Sequence, residues 1–128
     1  MNDVKQVIVV RKDLHLRRSE LAAYVATASM GFLIDNNESD RGDEISVKLS
    51  SEEAKWINGT YKKIVVGVDS EAELKDVMFR AELSGMGVYP VFDKRHVNNE
   101  GDVTAACIAI GPDESELVDQ VTGHLKLI

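Results

Sequence analysis

Four short segments of the chain are apolar at consecutive positions instead of at every second position. They are residues 6–11 (QVIVVR), 63–68 (KIVVGV), 88–92 (VYPVF) and 106–110 (ACIAI). A strand that is apolar on both faces is typical of a sheet covered by helices on both sides. The pattern therefore predicts four strands in a sheet that lies between helices.

Segments with helical spacing lie between and after these strands. In the first, residues 21–34, Ser19 is a candidate N-cap. Its apolar positions recur at helical spacing: Leu21, Tyr24, Val25, Ala28, Phe32 and Leu33. The other predicted helices are residues 50–59, 69–87 and 113–128, the last ending near Gly123. The predicted order is β-α-α-β-α-β-β-α, which is an α/β fold.

Two connections are too long for tight turns. Residues 35–53 carry seven acids against Arg41 and Lys48, which predicts an exposed acidic loop with ISVKL (residues 45–49) as a short extended segment at most. The acids lack calcium-loop spacing, so a cation site is disfavoured. Residues 93–104 (DKRHVNNEGDVT) form a polar link between two strands. Long loops beside strand ends often carry functional residues.

Composition sets limits on size and on partners. The chain has 128 residues, of which 44% are hydrophobic, and this length predicts a single domain over residues 1–128. Its 15 Lys and Arg oppose 22 Asp and Glu, so the formal net charge is -7. This charge repels a phosphate polymer on average, so any contact with nucleic acid must be local.

The single cysteine and the absence of long apolar runs indicate where in the cell the protein is expected. Cys107 lies in the apolar run ACIAI, where buried packing is favoured over a reactive thiol, and it has no partner for an intrachain disulfide. No run approaches the roughly 20 apolar residues that span a bilayer. The N-terminus MNDVKQ lacks the apolar core of a secretory signal. We therefore expect a soluble, cytoplasmic protein without a membrane partner.

Most general catalytic motifs are absent. The three histidines occur singly, so no metal site is predicted, and GxSxG, Walker A and GxGxxG patterns are missing. Trp56 more often packs a helix than stacks on a base in such a context. Tyr24 lies mid-helix, at a core position or at the edge of a cleft. Neither aromatic residue defines a site by itself.

Positive charge is concentrated near the N-terminus. Up to residue 18 the local balance is +3, from Lys5, Arg11, Lys12, Arg17 and Arg18 against Asp3 and Asp13. Arg17 and Arg18 precede a predicted helix N-terminus, where free backbone N–H groups also attract anions. The pair indicates either a phosphate site or a solvated turn, and its pattern alone does not decide between them.

Several separated blocks together resemble the type 2 peptidyl-tRNA hydrolases. The blocks are QVIVVRKDL, AAYVATAS, WINGTYKKIVV, VDSEAEL, IAIGPDE and VTGHLKLI. The resemblance runs from about Lys5 to the C-terminus. It implies a three-layer α/β/α sandwich over a mixed four-stranded sheet, a homodimer, and hydrolysis of the ester between a peptide and the terminal ribose of tRNA without a metal or other cofactor.

The family's functional positions are extensively substituted within residues 13–29. Family members resemble DLxMxKGKxAAQxxHAS, whereas this chain has DLHLRRSELAAYVATAS. The lysine thought central to the site therefore corresponds to Glu20. The family's glutamine corresponds to Tyr24, and its histidine to Thr27.

A second group of positions follows the third strand, where the family resembles DAGxT and then TxT. Asp93 and Thr104 are retained. The glycine is replaced by Arg95, the first threonine by Val97 and the last by Ala106. By this resemblance the candidate catalytic residues are Asp93, Glu20 and Thr104. The candidate substrate-binding and phosphate-binding residues are Arg17, Arg18, Tyr24 and Arg95.

These substitutions change the chemistry expected of the site. Losing one well-placed donor to a developing oxyanion costs roughly 3–4 kcal/mol of transition-state stabilisation. A carboxylate at Glu20 repels phosphate and, beside Asp93, would share a proton and raise one of the two pKa values. A replacement cation could come from Arg17, Arg18 or Arg95.

Three functions therefore stay open. The first is an active peptidyl-tRNA hydrolase with Asp93 as general base or its orienter, Thr104 as a polar anchor, and Arg17 and Arg18 on tRNA phosphates. The second is a relative without turnover that binds tRNA, peptide or protein. The third is hydrolysis of another ester or amide at a remodelled Glu20 and Asp93 site.

Overall fold

The computed structural model describes residues 3–128 of the chain. Its strands are β1 (Val4–Arg11), β2 (Lys63–Val68), β3 (Val88–Val97) and β4 (Val103–Glu114). They form a four-stranded sheet in the order β2-β1-β4-β3. Strand β1 is parallel to β2 and antiparallel to β4, and β4 is antiparallel to β3. The predicted mixed four-stranded sheet is confirmed.

The helices are α1 (Arg18–Ser29), α2 (Gly31–Ile34), α3 (Ser51–Ile57), α4 (Glu71–Leu83) and α5 (Ser115–Thr122). Side-chain caps begin two of them. The Ser50 hydroxyl accepts from the Glu53 backbone N–H at 3.1 Å, and the Ser50 N–H donates to Glu53 Oε1 at 2.8 Å. The Ser70 hydroxyl accepts from the Glu73 N–H at 3.1 Å. These local bonds satisfy N–H groups that would otherwise lack partners.

Helices cover both faces of the sheet, which explains strands that are apolar on both sides. Helices α4 and α5 pack on one face, against Val7, Val9, Val66, Val68, Ile108 and Ile110. Helix α1 packs on the other face, against Ile8, Val10, Cys107 and Ala109. Beside it, Phe32 of α2 and Trp56 of α3 meet edge to face, with ring centroids 5.7 Å apart. The predicted three-layer α/β/α sandwich is confirmed.

The helix predicted over residues 21–34 is in fact two helices. Helix α1 ends at Ser29, and α2 begins at Gly31. A Cβ added to Gly31 would lie 2.4 Å from the Cβ of Tyr89, so this position requires glycine for the close approach to β3. The predicted N-cap was also wrong, because α1 starts at Arg18 and Ser19 lies inside it.

The polar segment 93–104 is mostly strand instead of loop. Strand β3 continues to Val97, β4 starts at Val103, and these two residues pair with each other. Asp93 and Arg95 therefore lie on a strand, which fixes their direction. Residues 45–49 form neither helix nor strand, in keeping with the predicted acidic loop.

Two further features concern burial. Cys107 is fully buried, and burial raises the pKa of its thiol to about 12, which confirms the packing interpretation. No helix formed by residues 3–128 is long and apolar enough to cross a membrane.

Candidate active site

Four polar side chains from α1 and β3 meet at one corner of the sandwich. Glu20 and Tyr24 are four residues apart on α1 and therefore share one helix face. Asp93 and Arg95 are two residues apart on β3 and therefore share one face of the strand. We call Glu20, Tyr24, Asp93 and Arg95 the charged cluster. The sheet and the helix packed on it thus bring together residues that are more than 60 positions apart in the sequence.

The Arg95 guanidinium holds the charged cluster together. Its Nη1 lies 2.7 Å from Glu20 Oε2, and its Nη2 lies 2.8 Å from Asp93 Oδ2. Nη2 also donates to the Tyr24 hydroxyl at 2.7 Å, and Nε donates to Asp93 Oδ1 at 3.1 Å. Arg95 therefore stands between the two carboxylates, and its side chain is still 61% exposed. The positive charge between the two carboxylates therefore comes from β3.

Tyr24 is the member of the charged cluster that also packs against the hydrophobic core. Its hydroxyl donates to Asp93 Oδ2 while it accepts from Arg95. Partial removal from water raises the pKa of Tyr24, and the bond to Asp93 acts in the same direction. The phenol therefore stays protonated at neutral pH and keeps a proton to donate.

The two carboxylates do not share a proton, contrary to expectation. Hydrogen bonds from Arg95 and then Tyr24 hold the pKa of Asp93 well below its usual range. The backbone N–H of Arg17 and the Arg95 guanidinium lower the pKa of Glu20. Because a cation separates the two acids, both remain ionised at neutral pH. Neither is suited to act as a general acid there.

This geometry predicts how stability depends on pH. The lowered pKa means that the Arg95 contact to Asp93 stabilises the fold fully above the ordinary value of 3.8 and is lost as pH falls through the lower folded value. We expect the stability difference between the wild type and Asp93→Asn to be constant from neutral pH to about pH 5 and to shrink only under strong acid. Urea unfolding at a series of pH values measures this, and a difference that vanishes at pH 5 would contradict it.

Glu20 also has a local structural role. Its Oε1 accepts the backbone N–H of Arg17 at 3.1 Å, which satisfies one free donor at the start of α1. Arg17 precedes the helix but cannot complete a capping box, since its side chain has no acceptor. Glu20 therefore joins the helix start to the charged cluster.

Arg17 and Arg18 stand at the N-terminus of α1, and both are exposed. The basic pair thus lies one helical turn from Glu20, beside free backbone N–H groups. This placement agrees with both alternatives that the sequence indicates, a phosphate site and a solvated turn.

Thr104 contributes to a separate contact. The Arg11 Nη1 donates to the Thr104 hydroxyl at 2.8 Å, and that hydroxyl donates to the backbone oxygen of His96 at 3.1 Å. Arg11 also donates to Asp13 Oδ2 at 2.8 Å and is buried. In the sequence Arg11 is recognisable only as part of a basic patch, and this role was not predicted. The signal was an arginine directly after the buried run VIVV.

His96 borders the charged cluster. Its ring meets that of Tyr24 edge to face, with centroids 6.2 Å apart. Its Nε2 is enclosed and makes no hydrogen bond within residues 3–128. Within that same part of the chain, no group of three or more His, Cys, Asp or Glu side chains could hold a metal ion.

Comparison with known proteins identifies the family. The family model described as peptidyl-tRNA hydrolase PTH2 matches residues 4–128. The chain belongs to this family. A peptidyl-tRNA hydrolase from Haloquadratum walsbyi is 37% identical over 97% of this chain and 99% of its own length. One from Methanothermobacter thermautotrophicus is 34% identical over 98% of this chain and 100% of its own length.

A solved structure has a fold similar to that of this PTH2 family member. A protein of unknown function from Agrobacterium tumefaciens covers 100% of the chain with a TM-score of 0.61 and 14% sequence identity. At that identity the likeness concerns the fold alone. The PTH2 assignment itself rests on the family model and on the curated relatives.

Proposed function

We propose that this PTH2 family member hydrolyses the ester between a peptide and the terminal ribose of tRNA, with Arg95 as the cation of its site. The observation that carries the proposal is the position of the Arg95 guanidinium, within hydrogen-bonding distance of Glu20, Asp93 and Tyr24. Relatives that match this chain over 99–100% of their own length are named peptidyl-tRNA hydrolase, and this supports peptidyl-tRNA as the substrate.

Electrostatic stabilisation is the main chemical resource of this arrangement. Arg95 is mostly exposed, so an ester carbonyl can approach its guanidinium, and the Tyr24 hydroxyl lies 2.7 Å from the same Nη2. Donors that are already in place for a developing oxyanion usually make the largest single contribution to catalysis. Asp93 holds and orients the Arg95 guanidinium, and it also takes the single hydroxyl proton of Tyr24. Its lowered pKa makes it a poor proton acceptor, so we assign it the orienting role.

The tRNA end of the substrate needs an anion site nearby. Arg17 precedes α1 and Arg18 is its first residue, so their charge adds to that of the free backbone N–H groups at the helix start. We assign the terminal phosphates of tRNA to this pair. Thr104 stays a candidate anchor that acts through Arg11. The contact with tRNA is local because the whole chain is acidic.

The test is release of the acyl group from N-acetyl-aminoacyl-tRNA, a minimal peptidyl-tRNA, at low salt. We expect release by the wild type and a loss of about 100-fold or more in Asp93→Ala, since Arg95 then loses the partner that orients it. Asp76→Ala is the matched control, because Asp76 pairs with Arg80 on the exposed face of α4. Release that is equal in Asp93→Ala and the wild type would contradict the assignment.

A second candidate is binding of peptidyl-tRNA without turnover. The observation that favours it is the occupancy of Asp93, whose oxygens accept from Arg95 Nε, Nη2 and backbone N–H and from Tyr24. In that case the same assay shows no release above buffer. Binding of tRNA would still weaken as salt rises, because Arg17 and Arg18 release counterions from phosphates.

The remaining expectations concern the setting of the reaction. We infer that the chain works as a single domain in the cytoplasm and, as the family resemblance implies, as a homodimer without a cofactor. Translation supplies the substrate in that compartment. Sedimentation of the purified protein measures the oligomeric state.

A further inference from the structure

The contact between β3 and the helices α1 and α2 continues beyond the charged cluster. Its neighbouring residues are, in order, Glu20 and Arg95, Tyr24 and Asp93, Ala28 and Val91, and Gly31 and Tyr89. The helix numbers rise along this contact while the strand numbers fall, so the helices and the strand run in opposite directions. The charged cluster therefore lies at one end of a longer boundary between helix and strand.

A groove lies at the other end of this boundary. Its lining includes Thr27, Gly31, Ile34, Tyr89, Pro90 and Val91, and we call it the β3 groove. Its volume is about 120 Å³. Because pockets that hold a whole small-molecule ligand usually measure roughly 300–1,000 Å³, the β3 groove fits part of a larger ligand. Ile34 is half exposed, so apolar surface is available to that ligand.

The β3 groove begins directly beside the charged cluster. On α1, Thr27 follows Tyr24 by three positions, which is close to one helical turn. On β3, Val91 precedes Asp93 by two positions and therefore lies on the same face of the strand. A substrate held at the charged cluster thus has the β3 groove as its immediate neighbour.

Tyr89 gives the β3 groove a fixed shape. A Cβ added to Gly87 would overlap with the Tyr89 hydroxyl oxygen, and one added to Gly31 would overlap with the Tyr89 Cβ. Glycine at both positions therefore leaves room for this side chain. Asn36 Nδ2 donates to the Tyr89 hydroxyl at 3.3 Å. These contacts hold the ring in place without a ligand, so the groove is formed before binding.

The outer edge of β3 offers free backbone groups along the same path. The C-terminal segment bridges the opposite edge of the sheet, where Leu127 pairs with Val66. Within residues 3–128, no strand or bridge pairs with the outer edge of β3. Pro90 agrees with this position, since proline within a sheet is confined largely to edge strands. An extended peptide commonly binds to such an edge.

The charges along the boundary differ between its two ends. Arg17 and Arg18 stand at the start of α1, whereas Asp35 and the acidic loop follow α2. Among the described residues, no lysine or arginine lines the β3 groove. Phosphates are therefore attracted to the first end and repelled from the second. The charge pattern favours an uncharged segment of the substrate in the β3 groove.

Resting on the hydrolase function proposed above, we propose that the β3 groove binds the peptide part of peptidyl-tRNA, extended along β3, and prefers apolar side chains. The ester lies at Arg95, the tRNA extends towards Arg17 and Arg18, and the peptide extends towards Ile34. The four strand positions from Asp93 to Tyr89 span roughly 13 Å, at about 3.3 Å per extended residue. The groove therefore contacts about four residues of the peptide before the ester.

The first test varies the length of the peptide. The substrates are N-acetylated peptidyl-tRNAs that carry one to six leucine residues on the same tRNA. We expect kcat/KM to rise about 10-fold between one and four residues and then to level off, because a hydrophobic pocket commonly discriminates by this amount or more. Aspartate in place of the leucines before the last residue should remove the gain. A kcat/KM that is independent of length would overturn the proposal.

A variant of Ile34 assigns the gain to the β3 groove. The readout is the ratio of kcat/KM for the four-residue substrate to that for the one-residue substrate, in which any loss of folded protein cancels. We expect Ile34→Asp to bring the ratio close to 1. Leu83→Asp is the matched control, since Leu83 is an exposed apolar residue on α4, which packs on the opposite face of the sheet. It should keep the wild-type ratio.

The same variant tests for a different occupant of the β3 groove. A second copy of the chain could cover this surface, and sedimentation of Ile34→Asp detects it. A variant that changes its oligomeric state but keeps the wild-type ratio would overturn the proposal, because the groove would then be a protein interface. An unchanged oligomeric state with a ratio close to 1 would support it.

A second test separates this proposal from the proposed hydrolase function. Adenosine that carries the N-acetylated peptide through a 3′-amide cannot be hydrolysed as an ester, so its binding is measured without turnover. We expect the four-leucine form to bind about 10-fold tighter than the one-leucine form, and Ile34→Asp to equalise them. Equal binding by the wild type overturns the peptide site even if esters are hydrolysed. Tighter binding of the longer form without any hydrolysis leaves the peptide site standing and overturns the hydrolase function.

Discussion

Replacing Arg95 with alanine is expected to lower the rate of acyl release by about 100- to 1,000-fold, the loss typical of removing one donor to an oxyanion. The guanidinium contacts Glu20, Asp93 and Tyr24, so its removal takes away the cation of the charged cluster. Glu20 and Asp93 would then repel each other without a charge between them. The measurement is release from N-acetyl-aminoacyl-tRNA under single-turnover conditions.

Two further variants make this result specific. Arg80→Ala removes an exposed arginine whose partner is Asp76 on the same helix, and it should leave the rate unchanged. Arg95→Lys keeps the charge but cannot donate in parallel to both carboxylates, so we expect an intermediate rate. An Arg95→Ala protein that folds and hydrolyses as fast as the wild type would show that another group stabilises the oxyanion.

Reversing the charge at Glu20 is expected to raise hydrolysis of N-acylated esters and to cost stability. Glu20→Lys changes the charged cluster from one excess negative charge to one excess positive charge. We expect a rate about 10-fold higher, which corresponds to roughly 1.4 kcal/mol of transition-state stabilisation. The same change removes the acceptor for the Arg17 N–H and places a cation at a helix N-terminus, and both effects lower stability.

The rate and the stability of Glu20→Lys are measured separately. Initial rates on N-acetyl-aminoacyl-tRNA give the first, and urea unfolding gives the second. Glu38→Lys, in the exposed acidic loop, serves as the control for a change of two in net charge. If Glu20→Lys hydrolysed these esters more slowly than the wild type, Glu20 would be helping the reaction in another way.

The sheet could be predicted from the sequence because burial on both faces leaves a direct mark. Strands covered by helices have no polar side, and β1 is buried at every position from Val4 to Arg11. The helix break at Gly31 could not be predicted in the same way. The glycine there is required by the close approach of Tyr89 from β3, which lies 58 positions further along the chain.

The charged cluster was only partly predictable. The resemblance indicated Glu20, Tyr24, Asp93 and Arg95 one by one, but Arg17 and Arg18 were equally acceptable as the replacement cation. The choice of Arg95 depends on β3 continuing past Asp93 as a strand, which directs both side chains towards α1. Polar residues after a strand resemble a loop in the sequence, and only pairing with β4 shows otherwise.

Thr104 and Arg11 show a different limit. The family resemblance predicted the Thr104 hydroxyl as an anchor in the site. In the fold this hydroxyl bonds Arg11 and the backbone of His96, and Arg11 in turn bonds Asp13 before α1. Such a chain of contacts joins three separate segments, so no local pattern could have predicted it.

The most direct test of the account is an exchange of charges between α1 and β3. Rates of release from N-acetyl-aminoacyl-tRNA are measured for the wild type, Arg95→Gly, Glu20→Lys and the double variant Glu20→Lys with Arg95→Gly. If one cation beside Asp93 is what the site requires, Arg95→Gly is nearly inactive and the double variant recovers at least about 10-fold over it. A double variant no faster than Arg95→Gly would contradict the claim that Arg95 takes the place of a cation on α1.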